Sequence, residues 1–398
     1  MEKELLKNLY FDATLSTADF VKKLAKSTPS ITKVINRLLD ENIIVECGFA
    51  ESTGGRRPIQ FALNPDLDFY ILTISADQYF STFTITNLNQ IIISEHRDIS
   101  LELKCSNSAN LLLAEIEKIL ASTPINRNRL IGIGLSMPGF VNSELGVNES
   151  YPISHHLYGI KNTIEKKYGI PTVIENDSRC IALAEKEFGL AKNIENSLII
   201  NLNWGVGLGI IINGAVFKGE SGFAGEFSHI PLSDNNTLCS CGKRGCLEVE
   251  ASLNAAIRNT ENDIKKNEYS IYSTFVNSNL NKIDALIEAS NVGDQIAINN
   301  LGKIGYMLGK GISTLIHILN PKQIIVSGRG AELGRILNPQ IQIAINEFCI
   351  PEIAKTTNIQ MSALNKYAQI KGTAAIVVER HINSILTKNH QHKKLINE

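Results

Sequence analysis

Three cysteines within eight residues, Cys239, Cys241 and Cys246, follow His229 in an H-x9-C-x-C-x4-C pattern, and no other feature constrains this chain as much. Three thiolates and one imidazole fill a tetrahedral zinc shell with no open position, which is the form of a structural site. Gly242 and Gly245 are expected to let the backbone turn tightly there and to aim N–H groups at the sulfurs. The spacing is not the C-x-x-C of a redox pair. The other cysteines, Cys47, Cys105, Cys180 and Cys349, are scattered. In a reducing compartment such a cluster points to a metal rather than to disulfides. The expected cofactor is Zn2+, held by His229, Cys239, Cys241 and Cys246 within a segment spanning 229–248.

A chain of 398 residues has room for two or three domains. With 43% hydrophobic and 20% charged residues it reads as a soluble globular protein. A net charge of −1 gives no bulk attraction for polyanions, so any nucleic-acid affinity must be local. No apolar run reaches the ~18 residues that span a bilayer. The first ten residues, MEKELLKNLY, lack the apolar stretch and cleavage site of a signal peptide. The expectation is a cytoplasmic protein without membrane insertion.

Residues 1–66 read as one small unit. Leu5, Leu6 and Leu9 recur at helical spacing. Ser16 and Asp19 stand in a capping-box-like arrangement before Phe20, Val21 and Leu24. Ser27-Thr28-Pro29 starts a third helix, whose buried stripe is Ile31, Val34, Ile35 and Leu38. Ile43-Ile44-Val45 and residues 59–63 read as short strands around a polar loop. Three helices and a hairpin make a winged helix-turn-helix. Between Phe20 and Leu39 stand five basic residues, Lys22, Lys23, Lys26, Lys33 and Arg37, and no acidic one. Such a field suits phosphate contacts. The third helix would offer Ser27, Thr28, Ser30, Thr32, Lys33, Asn36 and Arg37 to a DNA major groove. Gly54-Gly55-Arg56-Arg57-Pro58 reads as a short arm whose Arg56 and Arg57 would enter a narrow A/T-rich minor groove. Two plainer readings stay open: a wing turn with solvated arginines, and a winged helix that binds protein.

From about residue 67 the texture changes. Apolar strand-like runs at 70–74, 82–86, 90–93, 130–135, 172–175, 198–202, 208–212 and 323–326 alternate with helical segments near 110–121, 160–168 and 179–188. The alternation predicts α/β layers, and the stretch from the cysteines to about 319 reads as helical. The polar tail, Lys388 to Lys394, is expected to fray.

Gly225-Glu226-Phe227-Ser228-His229, followed by Cys239-Ser240-Cys241-Gly242-Lys243-Arg244-Gly245-Cys246-Leu247-Glu248, resembles the ROK (repressor, open reading frame, kinase) family, with Ser228 where the family form GExGH has glycine. Met137-Pro138-Gly139, Glu175-Asn176-Asp177 and the Gly55-Arg56-Arg57-Pro58 arm fit the same pattern, and the likeness runs to about residue 380. The resemblance implies a two-lobed, actin-like (hexokinase-like) ATPase fold over 67–398, a homodimer or homotetramer, and homology to repressors of the xylose and N-acetylglucosamine type. It also implies a monosaccharide held between the lobes by Asn176, Asp177, Glu226, His229 and Glu248. The chemistry agrees, because carboxylates and an amide make bidentate hydrogen bonds to vicinal hydroxyls. His229 would bind zinc through one ring nitrogen and a hydroxyl through the other. In a kinase, Asp177 would take the proton of the reacting hydroxyl; it would otherwise serve as a cap or hold a lobe.

Phosphoryl transfer depends on positioning phosphates and metal, and the three elements for that are altered. Family kinases carry D-x-G-G-T-K where this chain has Ser75-Ala76-Asp77-Gln78-Tyr79-Phe80. A second loop, G-T-G-x-G-x-G in kinases, reads Asn203-Trp204-Gly205-Val206-Gly207-Leu208-Gly209, and a third reads Ser327-Gly328-Arg329-Gly330. Side chains now stand where backbone must approach phosphate. The expectation is a DNA-binding repressor of carbohydrate genes, controlled by a sugar and without kinase activity. The alternatives are a sugar kinase with an attached DNA-binding domain, and a repressor controlled by a transporter subunit.

Overall fold

The structure is a computed structural model and describes residues 1–50, 57–94, 98–266 and 268–389. The chain divides into two compact units, Met1–Glu175 with Thr373–Glu398, and Asn176–Gly372.

The first unit opens with three helices. Glu2–Asp12 buries Leu5, Leu6 and Leu9. Thr17–Leu24 starts at a full capping box: the Asp19 N–H donates to Ser16 Oγ (3.2 Å), and the Ser16 N–H donates to Asp19 Oδ2 (2.9 Å). Thr28–Asp40 has a proline in its first turn and buries Ile31, Val34, Ile35 and Leu38, the stripe that helical spacing predicts. Strands Ile44–Phe49 and Ile59–Leu63 pair antiparallel, and Leu15–Ser16 joins the other edge of Ile59–Leu63. This is a winged helix-turn-helix arrangement. Gly54, Gly55 and Arg56 of the expected arm lie outside the described residues; Arg57 is described and exposed.

A five-stranded sheet follows, in the order Thr172–Asn176, Leu130–Met137, Tyr70–Ala76, Phe80–Asn87, Asp98–Ser100. Tyr70–Ala76 pairs antiparallel with Phe80–Asn87 and parallel with Leu130–Met137. Leu112 and Ile116 of helix Ser108–Ser122, and Ile160 and Ile164 of helix Ile160–Tyr168, pack on Leu72, Ile74, Phe83 and Ile133. The run 90–93 departs from expectation. Its Ile91, Ile92 and Ile93 are exposed, Gln90 takes a left-handed φ of 63°, and only a single bridge joins Ile92 to Thr86. Apolar composition mimicked a strand where the chain makes a surface turn. The tail departs too: residues 384–389 are helical, so Lys388 is not frayed, and 390–394 lie outside the described residues.

The second unit repeats the strand plan. Its sheet runs Ala215–Val216, Val206–Ile212, Ser197–Leu202, Gln323–Ser327, Asn358–Met361. An antiparallel meander again precedes a strand added in parallel, and here Asn358–Met361 extends the parallel edge. Helix Asp177–Phe188 buries Ile181, Ala182 and Ala184 against Ile199, Ile211 and Ile325. The helical stretch expected after the cysteines is present: helices Leu253–Lys265, Tyr272–Asn277, Lys282–Asn291 and Gln295–Leu319. Among the described residues, no helix is long and apolar enough to cross a membrane.

The capping box makes a measurable contribution. Ser16→Ala removes one partner of the first-turn N–H groups and should cost about 1 kcal/mol of local stability. Hydrogen exchange of the Thr17–Leu24 amides should speed up roughly fivefold. The Ser16 hydroxyl and backbone hydrogen bonds lower the Asp19 pKa below its ordinary value. The stabilisation is therefore present above the unfolded pKa and is lost as pH falls through the folded one. Exchange that is equally fast in the variant and the parent at neutral pH would contradict this.

Candidate functional site

The site grows from the first turn of helix Asp177–Phe188. Asn176 is its N-cap: its Oδ1 accepts the N–H groups of Ser178 (3.0 Å) and Arg179 (3.2 Å). That oxygen is therefore committed to the helix N-terminus. Asp177 is held at both oxygens. Oδ1 accepts the Ser178 N–H at 2.8 Å, and Oδ2 accepts Asn201 Nδ2 at 3.2 Å. Burial raises the Asp177 pKa, opposed by the Ser178 bonds, the charge of Arg179 and the Asn201 bond.

Glu226 enters from a loop that only glycine can form. Gly225 has φ 103°, and a Cβ there would lie 2.3 Å from the Leu208 carbonyl oxygen. Burial pushes the Glu226 pKa up; Asp177 and Glu248 add to this, and His229 and Arg179 oppose it. The carboxylates of Asp177, Glu226 and Glu248 are therefore electrostatic neighbours, and the structure brings all five sequence-predicted sugar residues into the second unit. Glu248 opens the short helix Glu248–Ala251.

His229 joins this group to the cysteines. Its Nδ1 stands 3.6 Å from Cys239 Sγ, while its Nε2 faces Glu226 Oε2 at 3.7 Å. Cys241 Sγ and Cys246 Sγ are 3.6 Å apart, and the four donor atoms lie within 4.8 Å of one another. A tetrahedron with Zn–S bonds of 2.3 Å has S···S edges of about 3.8 Å, whereas a disulfide needs about 2.05 Å. The donor set thus fits a metal and not a crosslink. Burial pushes the Cys246 thiol up to about 12, so ionising it there calls for a compensating cation. The expected tight turns are present, with φ 84° at Gly242 and 74° at Gly245. Their N–H groups, however, donate to the carbonyls of Cys239 and Thr237 rather than to sulfur. The bond to a sulfur comes from the Lys243 backbone, which holds the Cys241 pKa below its usual value.

Each of the three altered loops engages donors of its own internally. In the turn after Tyr70–Ala76, Asp77 Oδ1 accepts the N–H groups of Tyr79 and Phe80, both at 2.7 Å. Asn203 Nδ2 donates to Asn201 Oδ1 (2.7 Å), and Asn203 Oδ1 accepts the Arg329 N–H (2.9 Å). The Arg329 guanidinium pairs with Asp284 at 2.6 Å. Trp204 is buried. A continuous polar chain therefore runs Asp177–Asn201–Asn203–Arg329–Asp284.

On the winged helix, Ser27, Thr28, Ser30, Thr32, Lys33, Asn36 and Arg37 are all exposed. Lys22, Lys26 and Lys33 make no ion pair among the described residues, but Lys23 pairs with Asp12 (3.1 Å). Arg37 is engaged by Glu2 (2.6 Å) and Glu41 (3.0 Å), which weakens it as a phosphate contact.

Sequence reasoning missed Asn201 and Arg179. Asn201 is a polar residue inside the wholly buried strand Ser197–Leu202, and that misfit was the available signal. Arg179, 5% exposed, gave none, because one arginine near a helix start is ordinary.

A family model described as ROK family matches residues 82–380. The xylose repressor of Bacillus spizizenii is 27% identical over 388 residues, covering 96% of each chain. The solved structure of a ROK family transcriptional regulator, a homolog of the E. coli MLC protein, aligns over 98% of both chains with TM-score 0.74 and 27% identity. A ROK family glucokinase from Streptomyces griseus, solved with glucose and AMPPNP, shares the fold over 77% of this chain and 98% of its own, with TM-score 0.64 and 21% identity. The repeated five-stranded plan and the glycine-, histidine- and cysteine-bearing segment agree with these matches: the chain belongs to the ROK family and has its α/β, actin-like sugar kinase fold.

Proposed function

We propose that this protein is a sugar-responsive transcriptional repressor. Residues 1–66 bind operator DNA, and the remaining chain binds a monosaccharide without phosphorylating it. One observation carries the reading: the sugar-type donors and acceptors are organised, while the backbone donors of the loops that would hold phosphate are consumed by Asp77 and Asn203. Catalysis of phosphoryl transfer is almost entirely positioning and electrostatic stabilisation, and a carboxylate sitting on the turn's N–H groups opposes both. Full-length similarity to repressors supports the regulatory role.

In this reading Asp177, Glu226 and Glu248 accept hydrogen bonds from sugar hydroxyls, and the Asn176 amide donates. His229 presents Nε2 to the sugar while Nδ1 faces the metal. Zinc bound by His229, Cys239, Cys241 and Cys246 supplies structural rigidity, in a closed four-ligand shell. A ligand acts on DNA affinity only if it prefers one conformation of the protein. A dimer presenting two Thr28–Asp40 helices reads a pseudo-palindromic site.

Protein purified without chelator should contain about one zinc per chain. Cys241→Ser should lose the metal and lower the melting temperature, because coordination is coupled to folding. Elemental analysis finding no zinc in the parent protein would refute the metal assignment.

For DNA, Lys33→Ala should weaken operator binding and reduce the salt slope by roughly one, the signature of one lost phosphate contact. Arg37→Ala should do less, since its charge is already matched by Glu2 and Glu41. Titrations at several salt concentrations that rank the two variants in the opposite order would refute the assignment.

For the sensor, Asp177→Asn should cost about 1.5–3 kcal/mol of sugar affinity, the range for a hydrogen bond to a charged group. Operator binding without sugar should be unchanged. Calorimetry with a panel of monosaccharides, and a DNA-shift assay on the same preparation, test both. Unaltered sugar affinity would place the pocket elsewhere, and ATP-dependent phosphorylation of the bound sugar by the parent would overturn the sensor reading.

A further inference from the structure

Arg129, at the start of strand Leu130–Met137 in the first unit, is a buried cation without a counter-charge among the described residues. Only 9% of it is exposed. Its guanidinium lies over the Phe69 ring, 4.7 Å from the centroid, and among the described residues its side chain makes no hydrogen bond or ion pair. Buried charges are normally paired, because an isolated ion away from water loses its hydration uncompensated. A face-on aromatic ring offsets only part of that cost.

The same guanidinium borders a cavity of about 640 Å³, and three more cations surround it. Arg127 and Lys167 stand on its rim; Lys388 comes from the C-terminal helix, where its Nζ donates to the Leu130 carbonyl. Burial lowers the Lys388 pKa, and Arg129 lowers it further. Among the described residues, Glu117 is the one acid lining the cavity, and it pairs with Arg127 at 3.0 Å. Three cations, Arg129, Lys167 and Lys388, therefore converge, and no carboxylate among the described residues pairs with them. The lining comes from four separate stretches of chain, so no local motif draws it together. The volume falls in the range of small-molecule sites and far exceeds a bare oxyanion. Leu120 and Tyr168 add wall for an organic moiety.

We infer that this cavity binds a phosphorylated small molecule, with Arg129 as the buried anchor for its phosphate. A phosphate monoester carries about −1.5 to −2 charges and three acceptor oxygens, which matches convergent cations better than a single carboxylate does. Guanidinium donors suit it through parallel N–H···O bonds. None of these residues belongs to the sugar or zinc groups, so the inference stands apart from the proposed function.

Inorganic pyrophosphate and fructose 1,6-bisphosphate are suitable probes, titrated into the full chain at constant ionic strength by calorimetry and followed by melting temperature. The parent protein should bind at least one probe and melt higher with it. Arg129→Met should weaken binding roughly tenfold or more, the loss expected for a charge-assisted hydrogen bond. Without the probe it should melt no lower than the parent, because it removes an unpaired buried charge. Lys167→Met, on the exposed rim, carries little folding risk and should weaken binding less. If Arg129→Met fails to fold, the double variant Lys167→Met with Lys388→Met decides, and retained affinity there overturns the inference. It is also overturned if neither probe binds at millimolar concentration, or if all variants gain the same stabilisation as the parent.

Discussion

Two carboxylates, Asp177 and Glu248, stand close enough to Glu226 to raise the cost of ionising it, and the organisation of the second unit depends on holding the three there. Like charges disperse unless each is fixed from behind. Asp177 is fixed by the helix N-terminus and by Asn201, Glu226 by a left-handed Gly225, and Glu248 by the helix it opens. Arg179 and His229 supply the opposing charge or its potential. The cysteine cluster belongs to the same task. It meets His229 at Nδ1 and leaves Nε2 toward Glu226, so a metal held by these four donors would also orient an imidazole beside the carboxylates.

The polar chain from Asp177 to Asp284 gives a physical meaning to the loss of glycines in the loops. In a nucleotide site those backbone N–H groups wait for phosphate oxygens. Here the chain has supplied its own acceptors, the carboxylate of Asp77 in one loop and the amide of Asn203 in another. Satisfied donors no longer favour an incoming anion, and the loops gain rigidity instead. The same polar side chains connect Asp177 to the Arg329–Asp284 ion pair. A fold shared with glucokinases is compatible with this, since function resides in the site and not in the scaffold.

In the first unit, the winged helix is tied to the rest by side chains that reach backbone carbonyls. Gln90 Nε2 donates to Tyr10 O at 3.0 Å, and Asn389 Nδ2 donates to Glu41 O at 3.1 Å. Every residue type has a carbonyl, so these ties depend on where the helices end rather than on which side chains stand there. The Asn389 tie also explains why residues 384–389 stay helical: their last residues have partners in a distant part of the chain.

Local patterns carried much of this. The capping box at Ser16 and Asp19, the stripe Ile31, Val34, Ile35 and Leu38, and the cysteine spacing are short-range features, and each appears in the structure where the sequence put it. Such signals are legible because helix periodicity and ligand spacing act within a few residues. Composition misled at 90–93, where three isoleucines suggest a strand but the segment turns back on Phe80–Asn87 through a single bridge and leaves all three isoleucines exposed. The sequence by itself determined the winged helix, the α/β alternation and the four metal-type donors. Only the tertiary structure decided which nitrogen of His229 faces the sulfurs, that Asn201 supports Asp177, that Arg37 is already neutralised, and that Arg127, Arg129, Lys167 and Lys388 share one cavity. Those outcomes depend on contacts between residues tens to hundreds of positions apart, and the physics that sets them, pairing of charges and satisfaction of buried polar groups, has no period along the chain.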